Sequence, residues 1–490
     1  MAADVLLTTR SPALAWRQRQ RLRLQQLVEE AAQRSPWWRH RLRGFDRAAG
    51  SGGASACELM AGVPPLGKAE LMANFDAAAT DPRVSLAAAR AFAQAAGGRA
   101  CAYLGRYLAW ESSGSSGVPA LFLHDARSLA VCDSLQALRG PMAQAMPMPP
   151  WAAWPLGGPA GAAAGWPGTP RAASAPRAAR VAFVGAVEGP FAGVLSLDRQ
   201  RQLSPWVAAS TRAFSFLQPL PQLVAELNGW QPTALATYPS MAWVLARAAA
   251  EDGLRLQLAG VWTGGETLGA LCRQALQQAF GCTVRDTYGA SECLEIASEC
   301  AHGALHLHAD WVVLEPVDAH GRAVPEGECA DRVLLTNLAN RVLPIVRYEL
   351  GDRVRFVPGR CACGSALPMI EVQGRGDDVL SLAGAGGRKV HLAPLALTTV
   401  LEDEAGVFDF VVQQRGPRSL RVDLYGAAGC SKTARERTAA VLRHYLQHQG
   451  VPGARVDVRA AAALPARGRS GKRQRICRAM PAERGEELPP

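Results

Sequence analysis

In the middle of the chain, short apolar runs alternate with stretches in which apolar residues return every three or four positions. RVAFVGAV (180–187), TALATY (233–238), LAGVWTGGE (258–266) and TVRDTYG (283–289) read as buried strands. SMAWVLARAAAEDG and LGALCRQALQQAFG, which lie between them, read as amphipathic helices. Strands alternating with helices of this length predict βαβ units and a largely parallel sheet, an α/β fold. In such sheets the loops leaving the carboxyl ends of the strands carry the ligand site. Here those loops begin with Tyr238-Pro239-Ser240, Gly264-Gly265-Glu266 and Gly289-Ala290-Ser291-Glu292.

The flanks follow other patterns. Residues 15–35 predict an amphipathic helix with Leu22, Leu24 and Leu27 on its apolar side. Residues 141–180 are rich in Pro, Ala, Gly and Trp and keep no period, as in a long loop or insertion. After about residue 304, ALHLHADWVVLEPVD, DRVLLTNL and RVRFV resemble antiparallel strands. Beyond Arg375, FDFVVQQRGPRSLRVDLYG suggests a hairpin, KTARERTAAVLRHYLQHQG a helix and ARVDVRA a final strand. This divides the chain into a large unit, 1–374, with the 141–180 insertion and a β-rich portion, and a small α+β unit, 375–490. GRGDD (374–378) is the expected hinge.

Composition narrows the picture. With 490 residues, 49% of them hydrophobic, the chain can bury a sizeable core, which excludes wholesale disorder. No uninterrupted apolar run approaches the ~20 residues of a membrane-spanning helix, and the opening residues hold too short an apolar run for a secretory segment. A soluble, cytoplasmic protein with no membrane partner is the expectation. The net charge of +11 invites a nucleic-acid reading. The lysines, however, are only Lys68, Lys389, Lys432 and Lys472, and the arginines are dispersed, so small anions are the expected partners and nucleic acid is not. Twelve cysteines in such a chain suggest reduced thiols and a metal site over disulfides.

Several short stretches can carry chemistry. ESSGSSGVP (111–119) joins glycines to hydroxyls, so its backbone N–H groups and serines can cradle phosphate oxygens; a plain Ser/Gly turn fits it as well. It lacks the spacing and the lysine of a Walker loop. DTYGASE (286–292) sets an aromatic ring, a glycine turn and a carboxylate after a strand; the ring can lie on a purine and Glu292 can hold Mg²⁺. In RYELGDRV, Asp352 can accept both hydroxyls of a ribose. GRSGKRQRI carries Lys472 on a glycine-rich loop, a point charge suited to a phosphate–carboxylate transition state, although a solvated basic tail reads the same way. Cys300, Cys361 and Cys363 with one imidazole suit tetrahedral Zn²⁺; His306 is favoured, His302 and His308 stay open, and unliganded buried thiols are the alternative.

Taken in order, SSGSSGVP, YPS, GGE, YGASE, YELGD, GRGDD and the late GK resemble the adenylate-forming superfamily of acyl-CoA synthetases, peptide-synthetase adenylation domains and luciferases. WRQRQRLRLQQLVEEAAQRSPWWRHRL, PPLGKAELMANFD and the SEC…LHL…CACGS…GRGDDVL run resemble the phenylacetate–CoA ligase branch, which includes deazaflavin-cofactor adenylating synthetases. The resemblance implies a large nucleotide-binding unit with mixed, largely parallel sheets and a small mobile lid. It places Ser112, Ser113, Gly114, Ser115, Ser116 and Gly117 at the ATP phosphates, with Gly265, Glu266 and Gly289 also at the nucleotide. Tyr288 would flank the adenine, Glu292 would bind Mg²⁺, Asp352 would hold the ribose and Arg375 would contact ribose or phosphate, with Asp378 as pivot. Lys472 would stabilise the adenylation transition state, and the branch supports a structural zinc at Cys300, His306, Cys361 and Cys363. Val118 stands where the family often has lysine, which removes one phosphate contact.

The implied reaction is ATP-dependent activation of a small carboxylic acid, aryl or related, followed by transfer to coenzyme A. Other acceptors stay open: a carrier-protein thiol, an amine, or a hydroxyl that receives AMP. A non-catalytic zinc-containing binding module is the reading of another class. A homodimer is compatible with all of these.

Overall fold

The computed structural model describes residues 1–9, 11–46, 54–112, 120–140, 179–251, 253–318, 320–328, 330, 332–373, 380–392, 394–407, 410–425, 431–461 and 475–478. The expected hinge at 374–378 and nearly all of the expected insertion lie outside them.

Strands β1 (Leu108–Glu111) and β2 (Leu121–His124) form an antiparallel pair. The next strands are β3 (Val181–Gly185), β4 (Thr211–Ser215), β5 (Ala234–Thr237), β6 (Gly260–Gly264) and β7 (Thr283–Ala290). They lie parallel in the order β4-β3-β5-β6-β7. Helices on their crossovers explain why VAFVG, ALAT and GVWTG read as near-continuous apolar runs: both faces of such strands are covered. The sheet then turns antiparallel through β8 (Cys293–Glu299) and β9 (Leu305–Leu307). Separately, β10 (Val312–Val317), β11 (Arg332–Asn337) and β12 (Ile345–Leu350) make an antiparallel sheet. Strands β13 (Arg353–Val357) and β14 (Met369–Gln373) return to the large sheet and complete its β9-β14-β13 edge. The α/β expectation holds.

The N-terminal helix Ala13–Arg34 buries Trp16, Gln20, Arg23, Leu24, Leu27 and Ala31, a stripe at helical spacing. One expectation fails there. Leu22 is 51% exposed, because two positions before Leu24 a side chain lies about 200° around the helix and points to water.

Toward the C-terminus, β15 (Leu380–Ala383) pairs with β16 (Lys389–Leu392). Strands β17 (Phe410–Gly416) and β18 (Ser419–Leu424) form the expected hairpin. The helix Lys432–His448 and β19 (Arg455–Ala460) follow as read, with β19 parallel to β18. The sequence reading missed β20 (Ile476–Arg478), which runs parallel to β17 at the other edge. Phe410, Val412, Leu420, Leu442 and Leu446 share one apolar cluster with Val184, Leu235, Leu245 and Val261 of the large sheet and its helices. Among the described residues no helix is long and apolar enough to cross a membrane.

Candidate active site

The loop of small hydroxyl and glycine residues is bracketed by β1 and β2. At its base the Ser112 backbone N–H donates to the Ala120 carbonyl at 2.8 Å, and the Ala120 N–H donates to Ser112 Oγ at 3.0 Å. Residues 113–119, and with them Ser113, Gly114, Ser115, Ser116 and Gly117, lie outside the described residues. Just before the loop, the Glu111 N–H donates to the Pro190 carbonyl at 2.8 Å, which joins β1 to the segment leaving β3.

The turn after β7 is held against the same hairpin. The Ser291 carbonyl accepts from Trp110 Nε1 at 2.8 Å and lies 3.3 Å from His124 Nε2. The two rings stack with centroids 3.9 Å apart. Burial pushes the His124 imidazole down to about 4, so it is neutral and its Nε2 can carry the donated proton. Gly289 is forced by packing: a Cβ there would stand 2.0 Å from the Leu294 carbonyl oxygen, closer than any side chain permits. The turn delivers Glu292, which is buried, with its backbone carbonyl accepting from Asn337 Nδ2 at 3.1 Å. Its carboxylate accepts a hydrogen bond from the Tyr348 hydroxyl, and together with burial this keeps the phenol protonated. Tyr348 follows Arg347, a non-glycine residue at φ +50° held by a buried ion pair to Glu315 at 3.1 Å. Such a conformation persists only where its surroundings over-determine it.

Lys68, from the PPLGKAEL stretch, also lies within electrostatic reach of Glu292. Burial lowers its pKa and the carboxylate opposes that shift. Neither Tyr348 nor Lys68 was assigned a role from the sequence. The signal for Lys68 was its place in PPLGKAELMANFD, as one of few lysines in an arginine-rich chain.

Tyr288 and Asp352, read separately from the sequence, come together. The Tyr288 hydroxyl donates to Asp352 Oδ2 at 3.0 Å, which ties the end of β7 to the turn between β12 and β13. A carboxylate that accepts one hydroxyl can accept others nearby, which suits a sugar diol. On the next strand, Gly265 takes φ +78° after β6. Both carboxylate oxygens of Glu266 accept from Ser240, from its N–H at 2.9 Å and its Oγ at 2.9 Å. Glu266 thereby closes the amino end of the helix Pro239–Glu251, a use of backbone donors left open at a helix start.

Below these loops Asp286 is pushed up to about 7 by burial, against a hydrogen bond from Thr263 Oγ1 at 2.6 Å. A carboxyl group raised above its unfolded value of about 3.9 stabilises the fold most when protonated. That contribution is full below about pH 4 and is lost as pH rises toward 7. Asp286→Asn should therefore flatten the fall in Tm across that window relative to wild type; identical slopes in thermal melts would contradict the assignment.

The candidate metal quartet assembles away from this turn, at the β9–β14 edge of the sheet. One donor atom each from Cys300, His306, Cys361 and Cys363 lies within 4.8 Å of the others. Cys300 Sγ and Cys361 Sγ are 3.6 Å apart, and Cys363 Sγ is 3.3 Å from His306 Nε2. Tetrahedral zinc with bonds of about 2.3 Å sets thiolates about 3.8 Å apart, so the donor set fits. His306 Nδ1 lies 3.0 Å from the Leu367 carbonyl, and donating there leaves Nε2 for a metal. The other two histidines go elsewhere. His308 is buried 3.1 Å from Ser298 Oγ, and His302 contributes its backbone N–H to Cys300 Sγ at 3.4 Å. Arg375, Asp378 and Lys472 lie outside the described residues.

The fold is shared with adenylate-forming CoA ligases. A 2-hydroxyisobutyryl-CoA ligase, solved with 2-HIB-AMP and CoA in its thioesterification state, superposes with a TM-score of 0.56. The match covers 96% of this chain and 91% of that one, at 21% identity. In sequence, part of the chain is similar to phenylacetate–coenzyme A ligases. It is 30% identical over 178 residues to the Pseudomonas putida enzyme, spanning 33% of this chain and 38% of the relative. It is 27% identical over 187 residues to the Thermus thermophilus enzyme, 36% and 41% of the two chains. A protein named CapK from Staphylococcus aureus is 27% identical over 135 residues, 27% of this chain and 28% of that one. The chain thus matches well under two thirds of the length of these curated relatives. No protein-family model matches it.

Proposed function

We propose that this protein activates a carboxylic acid, aryl or of a related class, as an acyl-adenylate and then transfers the acyl group to the thiol of coenzyme A. The observation that carries the reading is that the Trp110–Ser291 bond ties the β1–β2 hairpin to the segment ending in Glu292, while the Tyr288–Asp352 bond ties the end of β7 to the β12–β13 turn. The likeness to phenylacetate–CoA ligases supports it.

A carboxylate oxygen of the acid attacks the α-phosphorus of ATP, the bond to the bridging oxygen breaks, and pyrophosphate leaves. Asp352 would accept the ribose hydroxyls while Tyr288 fixes its orientation. The loop beginning at Ser112 would receive the phosphates on its backbone donors, without the lysine that Val118 replaces. A magnesium ion at Glu292 would supply positive charge to the triphosphate. Lys472 would add the charge that acid and triphosphate, both anionic, need in order to meet. Rotation of the 375–490 unit about Arg375 and Asp378 would withdraw Lys472 and admit the thiol, whose sulfur attacks the acyl carbon and expels AMP. The zinc quartet would clip the loop before β9 to the loop before β14, a structural role. The proposed setting is the cytoplasm.

Acid-dependent exchange of labelled pyrophosphate into ATP, run over a panel of aryl and fatty acids, tests the reading. Exchange with an aryl acid and thioester formation with free coenzyme A are the expected results. Exchange without thioester would move the acceptor to a carrier protein, amine or hydroxyl. No exchange with any acid, together with salt-dependent affinity for DNA or RNA, would replace the enzyme with a binding module.

A further inference from the structure

At the end of β7 and β8 opposite Tyr288 and Glu292 lies an open groove of about 320 Å³. Arg273, Gln277, Thr283, Arg285, Glu299 and Gly303 line it. We propose that this groove is a second ligand site, which takes a small zwitterion with one ammonium and one carboxylate, the chemistry of an amino acid. Its volume stands at the lower end of the about 300–1,000 Å³ of small-molecule sites. The proposal does not depend on the adenylating reading.

The acidic wall is Glu299, the last residue of β8, with its side chain only 2% exposed. Its Oε2 is well supplied: it accepts from the Asp286 N–H at 2.7 Å and from Arg273 Nη2 at 2.9 Å. Its Oε1 is buried and, among the described residues, receives no hydrogen bond. A buried acceptor without a donor is costly, and a ligand ammonium brings three donors. Gly303 borders this oxygen at φ +80°, and a Cβ there would stand 3.5 Å from Oε1. The turn therefore covers the carboxylate with backbone alone.

The basic wall is Arg285, half-buried on β7. Among the described residues its guanidinium reaches only the Ala301 carbonyl, from Nη2 at 3.4 Å, which is long for such a bond. Its fork of donors suits a carboxylate held through both oxygens. Arg273, from the helix Ala270–Phe280, is already committed: Nη1 donates to the Val284 carbonyl at 2.9 Å while Nη2 holds Glu299. Thr283 donates from Oγ1 to the Ala259 carbonyl at 3.2 Å and keeps acceptor capacity, and Gln277 adds an amide.

This mixture decides the class of ligand. A simple anion would meet the Glu299 carboxylate, and a simple cation would meet Arg273 and Arg285. A molecule with both charges sets each against its opposite. The groove is also remote from the nucleotide site. Strand β7 runs from Thr283 to Ala290, and at about 3.3 Å per residue its two ends lie about 23 Å apart.

The test is calorimetric titration of the purified full chain with glycine, β-alanine, 4-aminobutyrate and 5-aminovalerate, a series that varies the distance between the charges. Acetate and methylammonium serve as half-ligands. At least one zwitterion should bind saturably and about tenfold or more tighter than either half-ligand. Arg285→Gln and Glu299→Gln should each weaken that binding by about tenfold or more, the scale of one hydrogen bond to a charged group. Arg285→Gln serves if the Glu299 variant, which also loses its hold on Arg273, fails to fold. Saturating Mg·ATP should leave the Kd within about twofold. Binding by no member of the series, acetate or methylammonium binding as tightly as the zwitterions, or unchanged affinity in Arg285→Gln would overturn the proposal. Competition by ATP would overturn it as well, by moving the zwitterion to the nucleotide site.

Discussion

Replacing Lys472 with alanine should slow acid-dependent pyrophosphate exchange by about 10²–10³-fold, the loss that accompanies removal of one preorganised charge from a transition state. The reason lies in the reactants. Carboxylate and triphosphate repel, and the negative charge on the pentacoordinate phosphorus is greatest when the new oxygen–phosphorus bond is half formed. An ammonium aimed at that point acts on the transition state more than on either ground state, so kcat should fall while the KM values for ATP and acid move little. Thioester formation from supplied acyl-adenylate carries no such charge and should change far less. Equal loss in both half-reactions would show that Lys472 serves stability or general binding.

Metal analysis of the purified protein should return one zinc per chain, and stripping it should cost more stability than activity. Cys361→Ser, which removes one thiolate from the quartet, should lower Tm by several degrees or more and abolish stoichiometric zinc. The KM for ATP should stay within about twofold. The distances explain the asymmetry: a metal on the quartet would pin the loop before β9 to the loop before β14, whereas Glu292 follows Ser291, whose carbonyl Trp110 holds, and bonds Tyr348, and Asp352 bonds Tyr288. A chelator that raised the KM for ATP while leaving the melting curve in place would remove the structural assignment.

The parallel core was legible because its strands are short, apolar and separated by helices of regular period. The C-terminal hairpin was legible from alternation around one turn. Strand β20 was not, because three residues in a basic, glycine-rich stretch carry no period of their own; they become a strand only by pairing with Val412, Gln413 and Gln414. Leu22 was misplaced because three leucines at 22, 24 and 27 cannot share one narrow helical stripe. At the site, chemistry-bearing residues such as Glu292 and Asp352 stood out by their turns. Tyr348 and Lys68 did not, since their meaning depends on neighbours more than fifty residues away in the chain. The histidine of the quartet illustrates the same limit. Strand parity groups His306 with His308, and only the packing of His308 on Ser298 separates them.

The stacked Trp110 and His124 rings, sharing the Ser291 oxygen, make the two strands that enclose the anion loop and the segment ending in Glu292 mechanically one part. In the proposed reaction, any spreading of those strands by a triphosphate would be passed directly to Glu292, the proposed ligand of the cation. Occupancy of the one and alignment of the other would then be a single event.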